Sequence, residues 1–279
     1  MKKISSVLGT FSKGTKKART INFGISGGKN CEPSCRHHPN RFSSTEPHAG
    51  RCYAFNVEQR DDRTQLAAKL ERLDKLPASQ VIGRALVELS QMVIRSAVMP
   101  DWLRVSTNGA IPKPEEATAD RPFIPLLKET LKFAKQHGIP VHLPMESAAK
   151  AKFYRQKIGE LAVVRESIQT PNMNPLTILS HPIPDGPVSF TAGEEVPAGK
   201  NKLARVLAAA TLAAAAWAKL TGRKTIVCPA VRVSFLAKTT AGKNGRTPAQ
   251  VEEWRSANKC GSCIACSLKH VDIVYPCHN

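Results

Sequence analysis

The chain has 279 residues, with 41 Lys and Arg against 22 Asp and Glu, and its formal net charge is therefore +19. At about 150 residues per domain this length predicts one or two domains, and a hydrophobic fraction of 42% excludes a disordered chain. Residues 203–220 are the longest apolar stretch, but they are mostly alanine and include Arg205 and Lys219, so we expect a core helix and no contact with a membrane.

Residues 1–19 form a basic arm, and the first acidic residue of the chain is Glu32. No apolar signal-peptide segment follows the arm, and we therefore expect a cytoplasmic protein. In that compartment the eight cysteines are expected to bind metal rather than to form disulfides. Two interpretations of the arm are open: a solvated terminus, or a segment that binds a polyanion.

Short β-branched runs alternate with helical patterns between residues 20 and 229, the predicted core. The predicted strands are residues 20–25, 102–106, 139–143, 161–168, 187–191 and 225–228. The predicted helices are residues 61–76, 79–98 with Ser79 as N-cap, 121–137 with Gly138 after its end, 147–158, a short helix near 175–180, and 203–220. This alternation predicts an α/β fold with a parallel sheet, either open and doubly wound or a partial (β/α)6 barrel.

In both architectures the functional groups lie at the carboxyl ends of the strands. We expect this edge to carry Cys31, the turn Ser106-Thr107-Asn108-Gly109, Glu146, the stretch Glu166-Ser167-Ile168-Gln169, and Cys228. From residue 230 the alternation stops, so residues 230–279 are predicted to be a separate cysteine-rich extension.

The extension contains three closely spaced thiols, Cys260-x2-Cys263-x2-Cys266, followed by Cys277. Three thiols at this spacing can converge on one iron-sulfur cluster, as in bacterial ferredoxins. A fourth ligand would be either Cys228, which precedes a proline as in ferredoxin patterns, or Cys277. Structural zinc stays open as an alternative, although a second Cys-x2-Cys pair is missing from the sequence. We expect a closed structural metal site here.

A second set, Cys31-x3-Cys35-x16-Cys52, comes directly after the first predicted strand. Three thiols leave a fourth metal position open, which catalysis at a metal requires. Alternatively, His37, His38 or His48 of the same loop could close a zinc site. The sequence therefore predicts a metal site at this position without fixing the metal.

Cysteines after the first strand of a partial β/α barrel, with Tyr53 following Cys52, resemble the cysteine motif of radical S-adenosylmethionine (SAM) enzymes. The Phe23-Gly24-Ile25 run, the Arg51-to-Ala54 segment, Cys228-Pro229 and the tail from Lys259 also resemble a phage and plasmid family, the gene-product eighty-eight type. The second resemblance implies a mobile-element origin and no particular activity.

The radical SAM resemblance implies that Cys31, Cys35 and Cys52 hold a [4Fe-4S] cluster whose open iron binds S-adenosylmethionine. It further implies that the 106–109 turn contacts the methionyl amine. The polar residues after the fourth strand, Glu166, Ser167 and Gln169, would contact the ribose, and Glu146 is another candidate for binding the cofactor.

Three functional hypotheses follow from the sequence. The first is a radical SAM iron-sulfur enzyme with an auxiliary cluster in the tail, acting on a nucleic acid or another macromolecule. The second is a non-catalytic zinc protein that binds nucleic acid, and the third is a host-interaction protein with structural metal sites. The charge predicts a polyanion partner bound by the arm together with Lys238, Lys243 and Arg246.

Overall fold

The structure of the protein, a computed structural model, describes residues 12–13, 20–23, 77–95, 100–105, 111, 114, 123–168, 177–193, 196, 201–229 and 263–276. These residues fall into two compact units. The first contains the described residues up to Met145 together with Lys152–Ala162, and the second contains Glu146–Ala151 and the described residues from Val163 onward. Both units have parallel strand pairing. The predicted α/β class with parallel strands is confirmed.

The described strands of the first unit pair in their order along the chain. They are β1 (Ser12–Lys13), β2 (Thr20–Phe23), β3 (Trp102–Val105) and β4 (Val141–Met145). Strands β2, β3 and β4 are parallel, whereas β1 runs antiparallel to β2. Strand β1 was not predicted, and it shows that the basic arm contains a short segment paired with the sheet.

The described helices before β5 are α1 (Ala78–Arg95), α2 (Phe123–Gln136) and α3 (Ala148–Ile158). Helix α1 buries Val81, Ala85 and Leu89, which recur every four residues and so share one face. It begins one residue before Ser79, so the prediction of Ser79 as N-cap is wrong. Helix α2 ends as predicted, because Gly138 adopts a φ of 64° and donates its amide to the carbonyl of Lys135.

The described strands of the second unit are all parallel, but their order differs from the chain order. They are β5 (Val164–Ile168), β6 (Val188–Ala192), β7 (Lys224–Val227) and β8 (Val271–Pro276), paired in the order β5–β6–β8–β7. Strand β8 comes from the cysteine-rich tail and lies between β6 and β7. The sequence did not predict this strand, and the described part of the tail belongs to the sheet of this unit.

One face of this sheet is covered by α4 (Lys202–Thr221), close to the predicted bounds. Its Trp217 is completely buried and meets Phe190 edge to face, with ring centroids 5.8 Å apart. Among the described helices, α4 is long and apolar enough to cross a membrane, a property that core helices share. Its buried residues pack into the core of the second unit: Ala210, Ala213, Ala214 and Trp217 against Ile168, Ile178, Val188, Phe190, Ala192 and Val274.

Gly193, directly after β6, is required by this packing. Its φ is 93°, a conformation that side-chain-bearing residues rarely adopt. A Cβ atom at this position would lie 2.8 Å from Cγ1 of Val206 in the first turns of α4. The glycine therefore allows the end of β6 and the start of α4 to approach closely.

Candidate metal centre

Three of the predicted metal ligands lie in one apolar cluster on the other face of the second unit's sheet. The cluster is formed by Cys228, Cys263 and Cys266 with Ile226, Ala265, Val271, Ile273 and Tyr275. Successive residues of a strand alternate between faces, so Val271, Ile273 and Tyr275 point away from α4 whereas Asp272 and Val274 point toward it. The fold therefore gathers cysteines that are distant in the sequence.

The positions of these cysteines follow from the pairing of β7 with β8. Cys228 comes directly after β7, is 7% exposed, and donates its amide to the carbonyl of Val274 at 2.8 Å. Cys263 and Cys266 lie in the segment that leads into β8, and Cys266 is within the 3₁₀ turn Ala265–Ser267. The insertion of β8 beside β7 thus carries the tail cysteines to Cys228.

Tyr275 is the polar residue of the cluster. Its hydroxyl lies 3.4 Å from the sulfur of Cys266. Burial raises the pKa of this hydroxyl well above its usual range, and the nearby Cys266 and Cys228 thiols raise it further. The hydroxyl is therefore protonated at neutral pH and can donate a hydrogen bond to the sulfur of Cys266.

Arg165 of β5 holds the segment that carries Cys266. Its Nη1 donates to the carbonyls of Val188 and Val271 at 2.8 and 2.7 Å. Its Nη2 faces three carbonyls of the tail segment, at 3.4 Å (Ala265), 3.3 Å (Cys266) and 3.2 Å (Leu268). One side chain therefore fixes the backbone around Cys266 against the starts of β6 and β8.

Thiolates are soft ligands suited to zinc and to iron-sulfur clusters, and the apolar surroundings of these thiols limit access of water. Cys228, Cys263 and Cys266 form no disulfide bond. Among the described residues, no three His, Cys, Asp or Glu side chains are grouped closely enough to hold a metal ion. Cys260 and Cys277, which the sequence assigns to the same site, lie outside the described residues.

Glu146 follows β4 directly, as predicted. Its Oε2 lies 3.2 Å from Nζ of Lys150, a completely buried lysine in the first turn of α3. The hydroxyl of Ser147 accepts the amide of Lys150 at 3.3 Å and so caps this helix. Glu146 therefore has an ion-pair partner that the sequence analysis did not identify.

Glu166 and Ser167 lie within the last three residues of β5, which ends at Ile168 as predicted. Glu166 is 3% exposed, and its Oε1 lies 4.0 Å from Nε2 of His181. The strand continues through Ile168 because β5 pairs with β6 over its last three residues, with Ile168 beside Phe190. A carboxylate buried in this way has little surface left for a ribose.

Several predicted site residues lie outside the described residues. They are Cys31, Cys35, Cys52, His37, His38 and His48 of the first cysteine set, the turn Ser106, Thr107, Asn108 and Gly109, Gln169, the basic residues Lys238, Lys243 and Arg246, and the helix at residues 61–76. The radical SAM site consequently stays a prediction.

Two residues of this region were not predicted from the sequence: Tyr275 of the cluster, and Arg165, which binds the backbone around Cys266. A signal exists for Arg165, because an arginine inside a run of buried strand residues needs a partner that the strand cannot supply. Val271, Ile273 and Tyr275 are every second residue of this segment, and this period of two could have indicated a strand.

No family model matches the chain, and comparisons with curated proteins and with solved structures found no significant match.

Proposed function

We propose that this protein is an iron-sulfur protein of radical SAM type, encoded by a phage or plasmid and acting on a nucleic acid or another macromolecule. The observation that supports the iron-sulfur part is the apolar cluster of Cys228, Cys263 and Cys266, which unites thiols from two distant segments. With Cys260, these residues would supply the four thiolates that a [4Fe-4S] cluster requires. This centre would be closed and structural.

Catalysis is assigned to Cys31, Cys35 and Cys52, whose open metal position would bind S-adenosylmethionine, a cofactor that supplies reductive cleavage of its sulfonium. The partial (β/α)6 barrel belongs to the same proposal. In the second unit, however, β8 separates β7 from β6, whereas consecutive β/α units of a barrel would be neighbours. The barrel proposal therefore includes a tail strand inserted into the sheet.

Of the residues proposed to hold the cofactor, Glu146 is best placed among the described ones. It lies after a strand, is partly exposed, and is oriented by Lys150. The turn at residues 106–109 and Gln169 stay in the proposal, together with Ser167. The burial of Glu166 beside His181 favours a structural role for that carboxylate instead.

The decisive measurement is iron, sulfide and zinc content after anaerobic purification, followed by an assay of cofactor cleavage. We expect brown protein that, with dithionite and S-adenosylmethionine, releases 5′-deoxyadenosine. Cys52→Ala should abolish this release while the C-terminal cluster keeps its iron. A colourless protein with stoichiometric zinc would contradict the iron-sulfur proposal. Brown protein that releases no 5′-deoxyadenosine with candidate substrates would contradict the proposed radical SAM activity.

The proposed nucleic-acid partner predicts a salt dependence. Deleting the whole arm would remove β1, so we instead replace Lys2, Lys3, Lys16, Lys17 and Arg19 by Gln and keep Ser12–Lys13. The slope of log affinity against log salt concentration should flatten by up to about 0.9 for each phosphate that the arm no longer neutralises.

A matched control replaces five basic residues elsewhere on the described surface by Gln, so that its net charge equals that of the arm variant. These residues are Lys128, Lys132, Lys135, Lys219 and Lys224. An equal flattening in both variants would show general charge attraction and remove the arm from the proposal. If the protein does not bind nucleic acid at physiological salt, the proposal of a nucleic-acid partner is wrong.

A further inference from the structure

The tail carries a Cys-x2-Cys pair, Cys263 and Cys266, and both are free, partly exposed thiols. The two residues between them have compact backbone conformations: Ile264 has a φ of −98° and a ψ of 7°, and Ala265 begins the 3₁₀ turn Ala265–Ser267. Two consecutive residues folded in this way bring the flanking Cα atoms to within about 7 Å of each other. A disulfide bond spans about 4.4–6.8 Å between Cα atoms, so this turn is compatible with a bond between the two cysteines.

Side chains of two strands hold the segment that carries Cys266. The hydroxyl of Tyr275 lies 3.4 Å from the sulfur of Cys266, and Nη2 of Arg165 lies 3.3 Å from its carbonyl oxygen. The amide and the hydroxyl of Ser267 both donate to the carbonyl of Ile264 and close the turn. A fixed turn keeps the two thiols near each other, and groups held in this way react much faster than separate molecules do.

The pair also has exposed apolar neighbours. Ile264, between the two cysteines in the sequence, is 53% exposed, and Leu268, two residues after Cys266, is 39% exposed. Apolar side chains of this kind stabilise a complex when a ligand covers them. We refer to Ile264 and Leu268 as the apolar rim. A peptide with apolar residues next to its own sulfur can contact the rim while that sulfur meets the thiols.

We propose that Cys263 and Cys266 are a redox-active dithiol that reduces the disulfide bonds of peptides, with the apolar rim as the contact surface for the peptide. This inference goes beyond the proposed function. It needs no metal, and it applies to the protein whenever these two sulfurs are not bound to one.

The reaction is a thiol–disulfide exchange in two steps. One cysteine thiolate attacks a sulfur of the peptide disulfide, forms a mixed disulfide, and expels the other peptide sulfur as a thiolate. The second cysteine then attacks the first cysteine's sulfur, closes the bond between Cys263 and Cys266, and expels the remaining peptide thiolate. Two electrons pass from the cysteine pair to the peptide, and the two cysteine protons end on the two released thiols.

The test uses the full-length protein, both as purified and after treatment with a chelator, and metal content is measured on both samples. Each sample is incubated with glutathione disulfide as the probe, free thiols are alkylated, and the tryptic peptide of residues 260–269 is sequenced by mass spectrometry. We expect the chelator-treated protein to contain a bond between Cys263 and Cys266, with Cys260 alkylated. A bond from Cys260 to either of them would overturn the inference.

Two variants of the same cysteine run form a matched pair. Cys263→Ser should stop after the first step, so that glutathione stays attached to Cys266 in the tail peptide. Cys260→Ser should close the bond as the wild type does. A closed bond that requires Cys260, or glutathione that stays on Cys266 in the wild type, would overturn the inference.

The rim is tested by the rates of reduction of two disulfides, one in a peptide with leucines beside its cysteines and the other glutathione disulfide. Ile264→Ser should slow the reaction with the peptide about 3- to 10-fold and change the reaction with glutathione disulfide by less than about twofold. Leu212→Ser, at an exposed leucine of α4, is the matched control and should change neither rate. Equal slowing of both reactions in Ile264→Ser would overturn the role of the rim.

The metal measurements separate this inference from the proposed function. A bond between Cys263 and Cys266 in a protein that holds no metal as purified would support the dithiol and contradict the C-terminal metal centre. A purified protein that holds metal, and whose chelator-treated form closes no such bond, would overturn the dithiol and leave the metal centre intact.

Discussion

Replacing Asp272 by Asn is expected to lower the free energy of unfolding by about 3–5 kcal/mol, the range for breaking a buried ion pair on one side. Asp272 is completely buried in β8 and accepts two hydrogen bonds, from the amide of Val188 and the indole of Trp217. Nε of Arg223 lies 3.0 Å from Oδ2 of Asp272, the oxygen that also accepts the indole of Trp217. This contact is an ion pair without hydrogen-bond alignment. An asparagine can accept at one oxygen only, so one donor and the arginine lose their partner.

The effect is measured by urea unfolding of the purified protein, with an unchanged m value. Asp185→Asn makes the same chemical change at an exposed position and should alter stability by less than about 0.5 kcal/mol. Trp217→Phe removes only the indole donor and some volume, and we expect it to cost less than Asp272→Asn. A loss below about 1 kcal/mol for Asp272→Asn would show that the network is not a main contributor to stability.

The sequence predicted the strands of the core because each is a local signal. Runs such as the one around Phe190 consist of β-branched and aromatic residues between turn residues, a composition that favours strands. The bounds of β4 moved by two residues toward its carboxyl end, to Val141–Met145. The β-propensity of single residues does not fix where a strand starts and ends. Pro140 and Pro144 cannot donate a backbone hydrogen bond, which affects where pairing is possible.

Strand β8 and its place between β6 and β7 could not be predicted in this way. An aspartate in a strand is locally unfavourable, and Asp272 is accommodated only because Trp217, Arg223 and Val188 meet it in the fold. These partners are distant in the sequence, and no local pattern reports strand order. The nearby cysteines also directed the interpretation of the tail toward metal binding alone.

The candidate site was predictable to the extent that ligand chemistry depends on residue type and spacing. The pairing of Cys228 with the tail run was proposed from Cys-Pro and Cys-x2-Cys, and the structure gathers these thiols in one cluster. Arg165 and Tyr275 act through contacts that only the insertion of β8 creates. Sequence spacing therefore indicates candidate ligands more readily than it indicates the residues that surround them.

Replacing Cys228 by Ser is expected to remove the metal from the C-terminal centre, whereas Cys277→Ser should leave it bound. In the sequence, Cys228 comes directly after β7 and Cys277 directly after β8, and these two strands are parallel neighbours. Sequence position alone therefore does not decide which of the two cysteines is the fourth ligand. Cys228 is buried within the cluster and its amide is fixed to Val274. A serine fits the same volume but does not supply a thiolate, which makes this change selective for metal binding.

The expected readouts are metal content and resistance of the tail to protease, because metal binding would supply folding free energy on the order of 10 kcal/mol to the segment that precedes β8. Cys263→Ala should give the same loss as Cys228→Ser, since either removes one of four thiolates. The reverse pattern, with metal lost from Cys277→Ser and retained in Cys228→Ser, would make Cys277 the ligand and the burial of Cys228 simple core packing. Full metal content and full protease resistance in Cys263→Ala would show that the cluster of thiols is not a metal centre.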